Sequence, residues 1–271
     1  MTFYLRYRPQ TLADLDSADV RESLLKIFSA KSYPHAFLFS GPKGTGKTSA
    51  ARIVAKILNC ESASKKERGP KLIEPCNKCA MCTSITNGSN IDVLELDAAS
   101  HRGIDDIRIL REAVKLSPAK AKFKVYIIDE AHMLTPEASN ALLKTLEEPP
   151  GHVVFMLATT NPEKLIGTIR SRTTNINFKK AGKEEIIGRL TKIAKTEKIK
   201  ADAEALKKIA ERSGGSFRDA VKILEQLVNE NISIDSKNVD KYLSLISGEK
   251  IQEFVRLTNT EFLSMPRKKV Q

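Results

Sequence analysis

The sequence predicts an α/β fold in which a parallel sheet carries a phosphate-binding loop, followed by a separate small bundle of helices. Gly41-Pro42-Lys43-Gly44-Thr45-Gly46-Lys47-Thr48 matches G-x-x-x-x-G-K-[ST], between an apolar run, Ala36 to Phe39, and a helix-like run, Ser49 to Leu58. Strand-like runs at Ala36–Ser40, Ile91–Asp97, Lys124–Asp129, Val153–Ala158 and Asn175–Phe178 alternate with helical ones. That alternation means a parallel sheet with right-handed crossovers. From Lys179 the β pattern stops, and amphipathic helices follow at Lys183–Glu197, Asp202–Ser213, Phe217–Asn229 and Ser236–Ser244.

Each element has a chemical reason. The loop's glycines let backbone N–H groups turn inward around a polyphosphate, and Lys47 is placed to reach the β- and γ-phosphates. Thr48 offers a hydroxyl to Mg²⁺, and the helix that follows points its positive end at the anion. The run Val125-Tyr126-Ile127-Ile128 ends in Asp129-Glu130-Ala131-His132, as a buried parallel strand delivering carboxylates to the sheet's carboxyl edge should. In this position Asp129 would bind the Mg²⁺ that bridges the phosphates, and Glu130 would polarise the attacking water. The helix Pro136–Glu147 has Thr135 as its N-cap, Pro136 in its first turn and Pro149-Pro150-Gly151 as its stop.

All four cysteines fall in one segment, Cys60-x15-Cys76-x2-Cys79-x2-Cys82. Two overlapping C-x-x-C turns place thiolates around one tetrahedral centre, and Cys60, ending the helix after the loop, supplies the fourth corner. The reading is a structural Zn²⁺, since four protein ligands leave no open position for catalysis. A disulfide pair is the alternative, disfavoured in a reducing compartment. Lys65, Lys66, Arg68, Lys71 and Lys78 would offset the site's negative charge.

The 271 residues are 41% hydrophobic, enough for a substantial core and more than one domain, and carry a net charge of +12 spread along the chain. A dispersed surplus suits a polyanionic partner but also ordinary solvated helices. No apolar run approaches the ~20 residues that span a bilayer, and the N-terminus lacks a signal-peptide core, so a cytoplasmic protein without membrane contact is expected.

Several motifs together resemble the bacterial DNA polymerase III gamma/tau family, the AAA+ ATPases of sliding-clamp loaders. They are Arg8-Pro9-Gln10-Thr11-Leu12, the phosphate loop, the cysteine cluster, Glu95-Leu96-Asp97-Ala98-Ala99-Ser100, Asp129-Glu130-Ala131-His132, Leu142-Leu143-Lys144-Thr145-Leu146-Glu147-Glu148-Pro149-Pro150 and Ser171-Arg172. The resemblance implies an AAA+ P-loop ATPase domain with a five-stranded parallel sheet over residues 1–178, a zinc insert at 60–82 and a helical lid over 179–245. Residues 246–271 are read as the truncated start of a collar region, or a tail. It also implies ATP, Mg²⁺ and Zn²⁺ as ligands. The function implied is ATP-driven loading of a ring-shaped clamp onto primed DNA, within a hetero-pentamer of loader subunits. Nothing resembles the multi-acid site of a polymerase, so that activity belongs to the holoenzyme.

The family's remaining roles carry over residue by residue. Thr160 resembles sensor 1, with Asn161 as second choice; Arg172 resembles the arginine finger presented to a neighbouring subunit's γ-phosphate. Arg218 resembles sensor 2, and a cation in a helix's first turn opposes the macrodipole unless it reaches toward an anion. Arg102 and Arg108, with His101 where the family has Arg, are DNA candidates. The adenine-pocket residues do not carry over, because residues 14–20 lack the family's Val-Gly-Gln. The other readings are a different AAA+ DNA-processing ATPase, such as a branch-migration motor, and a zinc-dependent nucleic-acid module with a vestigial ATP site.

Overall fold

The computed structural model describes residues 2–30, 32–64, 74–101 and 103–245. In chain order it contains α1 (Phe3–Arg6), α2 (Ala18–Ser29), β1 (Ala36–Ser40), α3 (Lys47–Asn59), α4 (Ala80–Asn87), β2 (Val93–Asp97) and α5 (Ile104–Lys115). There follow β3 (Lys124–Asp129), α6 (Pro136–Glu147), β4 (Val153–Thr159), α7 (Gly167–Ser171) and β5 (Thr174–Asn177). The last elements are α8 (Lys183–Thr196), α9 (Ala203–Arg212), α10 (Phe217–Asn229) and a helix over 236–245, α11. Lys65, Lys66, Arg68, Lys71, Arg102 and residues 246–271 lie outside the described residues.

All five strands are parallel, in the order β2-β3-β4-β1-β5. Parallel strands buried on both faces read as continuous apolar runs rather than alternating ones, which is why β1, β3 and β4 were legible. Successive side chains point to opposite faces. Phe37 and Phe39 accordingly pack with Ile53 and Val54 of α3, whereas Leu38 packs with Tyr126, Phe155 and Leu157 beneath α5 and α6. Magnitude favours this apolar sandwich as the source of stability: truncating a buried Phe to Ala costs ~3–5 kcal/mol, far more than an exposed ion pair contributes. A third cluster joins α8, α9 and α10, with Phe3, Tyr4 and Tyr7 from the start of the chain packed against it.

Several edges differ from the sequence expectation. The strand expected over Ile91–Asp97 begins at Val93, because Asn90 Oδ1 accepts the Asp92 N–H at 2.9 Å and leaves Ile91 63% exposed. The Asp92 carboxylate is turned inward to accept the N–H groups of Ala119, Lys120 and Ala121, each at 2.8 Å. Burial opposes its ionisation, yet those three donors hold it below the usual carboxylate range. β5 is displaced one residue toward the N-terminus of the range expected, with Phe178 still donating to Ser40 O at 2.7 Å. α3 begins two residues before Ser49, so Lys47 and Thr48 are its first turn. Thr135 does cap α6, accepting from Ala138 N at 3.2 Å. No helix among the described residues is long and apolar enough to cross a membrane.

Candidate nucleotide site and cysteine cluster

The strand registers bring Ser40, Asp97, Asp129 and Thr159 to one edge of the sheet, with Ser40 opposite Thr159 and Asp97 opposite Asp129. The phosphate loop leaves β1 at that edge, where Gly41 N donates to Thr159 O at 3.1 Å. Gly41 has φ +141°, and a Cβ there would sit 2.0 Å from Phe178 O. Gly44 has φ +78°, and its Cβ would sit 2.0 Å from the Ser216 hydroxyl. Both positions therefore require glycine. The second contact also shows that the start of α10 lies directly on the loop.

Lys47 is 6% exposed and its Nζ donates to the carbonyls of Gly41 and Pro42, both at 2.8 Å. Burial lowers its pKa, against the carboxylates of Glu130 and Asp129, which favour the cation. Thr48 Oγ1 donates to Asp129 Oδ2 at 2.8 Å, so the two side chains read as Mg²⁺ ligands face each other. Glu130 is held at φ +47°, an uncommon conformation for a residue with a side chain. Its Oε2 accepts from Thr160 N at 3.3 Å and Thr160 Oγ1 at 3.1 Å, and lies 3.5 Å from His132 Nδ1. The Thr160 hydroxyl is also 2.9 Å from Asn161 Oδ1, so of the two sensor-1 candidates Thr160 touches the Glu130 carboxylate and Asn161 touches Thr160. His132 itself contacts Thr159 Oγ1 at 3.0 Å.

The cleft over the loop is closed on its far side by Tyr4, Tyr7, Arg8, Pro9, Leu15 and Val20, and from the helical bundle by Phe217 and Arg218. The Arg218 guanidinium stacks 4.9 Å above the Tyr4 ring. Burial, with the nearby cations Arg52 and Arg218 and against the Glu95 carboxylate, lowers the Arg8 pKa, and Arg8 and Arg218 both line the cleft. Sequence reasoning did not assign Tyr4 or Tyr7 to the site. Both sit at the start of the chain and reach the cleft through contacts with the helical bundle, for which the local sequence carries no signal.

Other expected residues lie apart from this cleft. Arg172 follows α7 outside the cleft lining, its Nη2 2.5 Å from Glu147 and its Nη1 3.1 Å from Thr168 O. His101 lies 3.6 Å from Asp106, and Arg108 3.0 Å from Asp105, so each is matched by a carboxylate on α5.

The sulfurs of Cys60, Cys76, Cys79 and Cys82 all lie within 4.8 Å of one another, Cys76 and Cys82 at 4.0 Å. Zn–S bonds of ~2.3 Å in a tetrahedron put sulfurs ~3.8 Å apart, so the set fits the metal with a small contraction. Backbone N–H groups of Lys78 and Cys79 point at Cys76 Sγ at 3.4 and 3.3 Å, and Cys82 N at Cys79 Sγ at 3.4 Å. Burial pushes the Cys76 thiol up, but those N–H groups, with Ser62 and Cys60, bring it down to about 6. Burial raises the pKa of Cys82. The four cysteines are not paired as disulfides.

Comparison with known proteins gives a consistent result. A family model described as the DNA polymerase III delta subunit matches residues 17–182, and one described as the DNA polymerase III clamp-loader subunit ATPase lid domain matches 185–230. The DNA polymerase III subunit tau of Bacillus subtilis is 46% identical over 253 residues, 93% of this chain and 43% of the relative. The corresponding Escherichia coli subunit is 43% identical over 224 residues, 82% of this chain and 34% of the relative. This chain thus spans well under half the length of these curated relatives. Among solved structures, the Thermotoga maritima RuvB Holliday junction branch migration motor superposes with TM-score 0.60 at 19% identity, covering 88% of this chain and 72% of that one. At that identity the likeness carries the AAA+ fold alone.

Proposed function

This chain belongs to the DNA polymerase III clamp-loader subunits of the gamma/tau type, and on that footing we propose that it binds and hydrolyses ATP to drive loading of a sliding clamp onto primed DNA. One observation supports the reading most strongly: Lys47 and Thr48 open a helix at the sheet's carboxyl edge, with the Thr48 hydroxyl 2.8 Å from Asp129. A phosphate loop facing a strand-end acid is the arrangement that P-loop ATPases use. The branch-migration reading has support only in a shared fold.

The roles divide by position. The loop backbone and Lys47 bind the β- and γ-phosphates, while the Tyr4–Pro9 wall encloses the rest of the nucleotide. Thr48 and Asp129 would hold Mg²⁺, which when bound neutralises phosphate charge and aligns the reacting oxygens. Glu130 polarises the attacking water, and Thr160 and His132 fix its carboxylate in one orientation. Arg218 brings the helical bundle onto the phosphates, so that the bundle's position reports which nucleotide is bound. Arg172, exposed and outside its own cleft, completes the site of a neighbouring subunit. The partners of this reading are the other loader subunits, the clamp and primed DNA, with His101, Arg102 and Arg108 as candidate phosphate contacts. Cys60, Cys76, Cys79 and Cys82 hold a structural Zn²⁺.

Lys47→Ala tests the nucleotide site. Removing a buried cation from a phosphate contact is expected to weaken ATP affinity by roughly 10²–10³-fold. Titration with a fluorescent ATP analogue checks it, with circular dichroism verifying the fold. Affinity unchanged by the substitution would contradict the assignment.

A further inference from the structure

The cysteine cluster and the nucleotide cleft are joined by one segment of chain. Glu74, two residues before Cys76, accepts the backbone N–H groups of Leu12 and Ala13 at 2.7 and 2.8 Å. Asn77, immediately after Cys76 and at φ +55°, accepts from Lys56 Nζ at 2.8 Å. Lys56 is 1% exposed and also donates to Gln10 O at 2.9 Å and Gln10 Oε1 at 2.7 Å. Residues 10–13 are therefore tied to the chain on both sides of Cys76. Arg8 and Pro9, just before them, and Leu15, just after, line the nucleotide cleft.

We propose that Glu74, Asn77 and Lys56 are positioning residues through which the metal-organised cysteine cluster holds residues 8–15 as the cleft wall opposite the phosphate loop. The proposal rests on the nucleotide and zinc readings above and gives the zinc insert a task in ATP binding. Three physical points support it. Leu12 is buried and its N–H needs an acceptor, and the Glu74 carboxylate that supplies it, the strongest kind available, takes the exposed Ala13 N–H as well. The Lys56 ammonium makes its hydrogen bonds to neutral groups, with Asp14 as a nearby carboxylate, and a Zn(Cys)₄ centre of net charge −2 would add countercharge from the cysteine side. A metal shared by the two overlapping C-x-x-C turns would lock them together beyond their own N–H···Sγ bonds, and Asn77 lies in the first turn with Glu74 two residues before it. Burial of Leu12 and Leu15 anchors the segment's apolar side, and the Asp14 carboxylate shapes its turn by accepting the Gln10 and Thr11 N–H groups, while Glu74 and Lys56 tie that turn to the cysteine segment.

Glu74→Ala is the informative variant, because Glu74 is partly exposed and is not a metal ligand. The protein, purified without chelator, is expected to carry about one zinc per chain, before and after the substitution. With Glu74→Ala, amide hydrogen exchange at Leu12 and Ala13 should accelerate by ~10-fold or more. ATP affinity should fall ~5–20-fold through lost preorganisation, with turnover at saturating ATP unchanged. Chelation of wild-type protein should reproduce both effects, and added zinc should reverse them. Glu74→Ala with zinc retained and with wild-type exchange and affinity would overturn the proposal. So would zinc removal that alters neither. Less than about half an equivalent of zinc, with four titratable thiols, would overturn its metal half. Wild-type protein that binds no ATP would instead contradict the nucleotide reading, and exchange at Leu12 and Ala13 would then decide this proposal by itself.

Discussion

A clamp loader assembled with Arg172→Ala in place of the wild-type chain is expected to lose ATP turnover at the adjacent site by ~10³–10⁵-fold, the range measured for arginine fingers in GTPases. ATP affinity should stay within a few-fold of normal. The reason lies in where Arg172 sits: outside the lining of its own cleft, ion-paired at 2.5 Å with Glu147, with side chains 34% and 44% exposed. A pair so exposed is weak and is readily exchanged for a γ-phosphate. The same geometry predicts that this chain alone binds ATP yet hydrolyses it slowly until neighbours dock. Phosphate release, measured as partner subunits are titrated in, checks both statements. High turnover by this chain alone that survives Arg172→Ala would contradict them.

Glu130→Gln is expected to leave ATP binding intact while hydrolysis falls by ~10²–10⁴-fold, the usual contribution of a positioned general base. Glutamine keeps the size and can still accept from Thr160, so the φ +47° turn and its hydrogen bonds survive. What it loses is the charge that polarises water. Binding and turnover must therefore separate, in contrast to Lys47→Ala, where both fail together. Hydrolysis by Glu130→Gln at the wild-type rate would move the base to another residue, and His132, 3.5 Å from Glu130 Oε2, would be the first to test.

What could be read from the sequence follows the range of the forces involved. The loop, the Asp129-Glu130 edge and the cysteine spacing are local patterns, and the structure brings Lys47, Thr48, Asp129, Glu130 and Thr160 to one edge and the four sulfurs to one point. Continuous apolar runs identified β1, β3 and β4 because both their faces are buried. The start of β2 was misjudged because a side-chain turn at Asn90 competes with strand pairing and carries no hydropathy signal. The cleft wall was missed for a different reason. Tyr4, Tyr7 and Arg8 reach the site only through contacts with α10 and the cysteine segment, more than sixty residues away in sequence, which no local period encodes. For Arg172 and Arg108 the motif gave a place in the chain, and the structure adds the carboxylate each now faces.

The central claim is that this chain's phosphate loop powers clamp loading, and the most direct test is ATP turnover by the assembled loader with and without sliding clamp and primed DNA. The account predicts turnover that rises when clamp and DNA are both present and that disappears with Lys47→Ala. Turnover no greater with wild-type chain than with Lys47→Ala, under every combination of clamp and DNA, would contradict it.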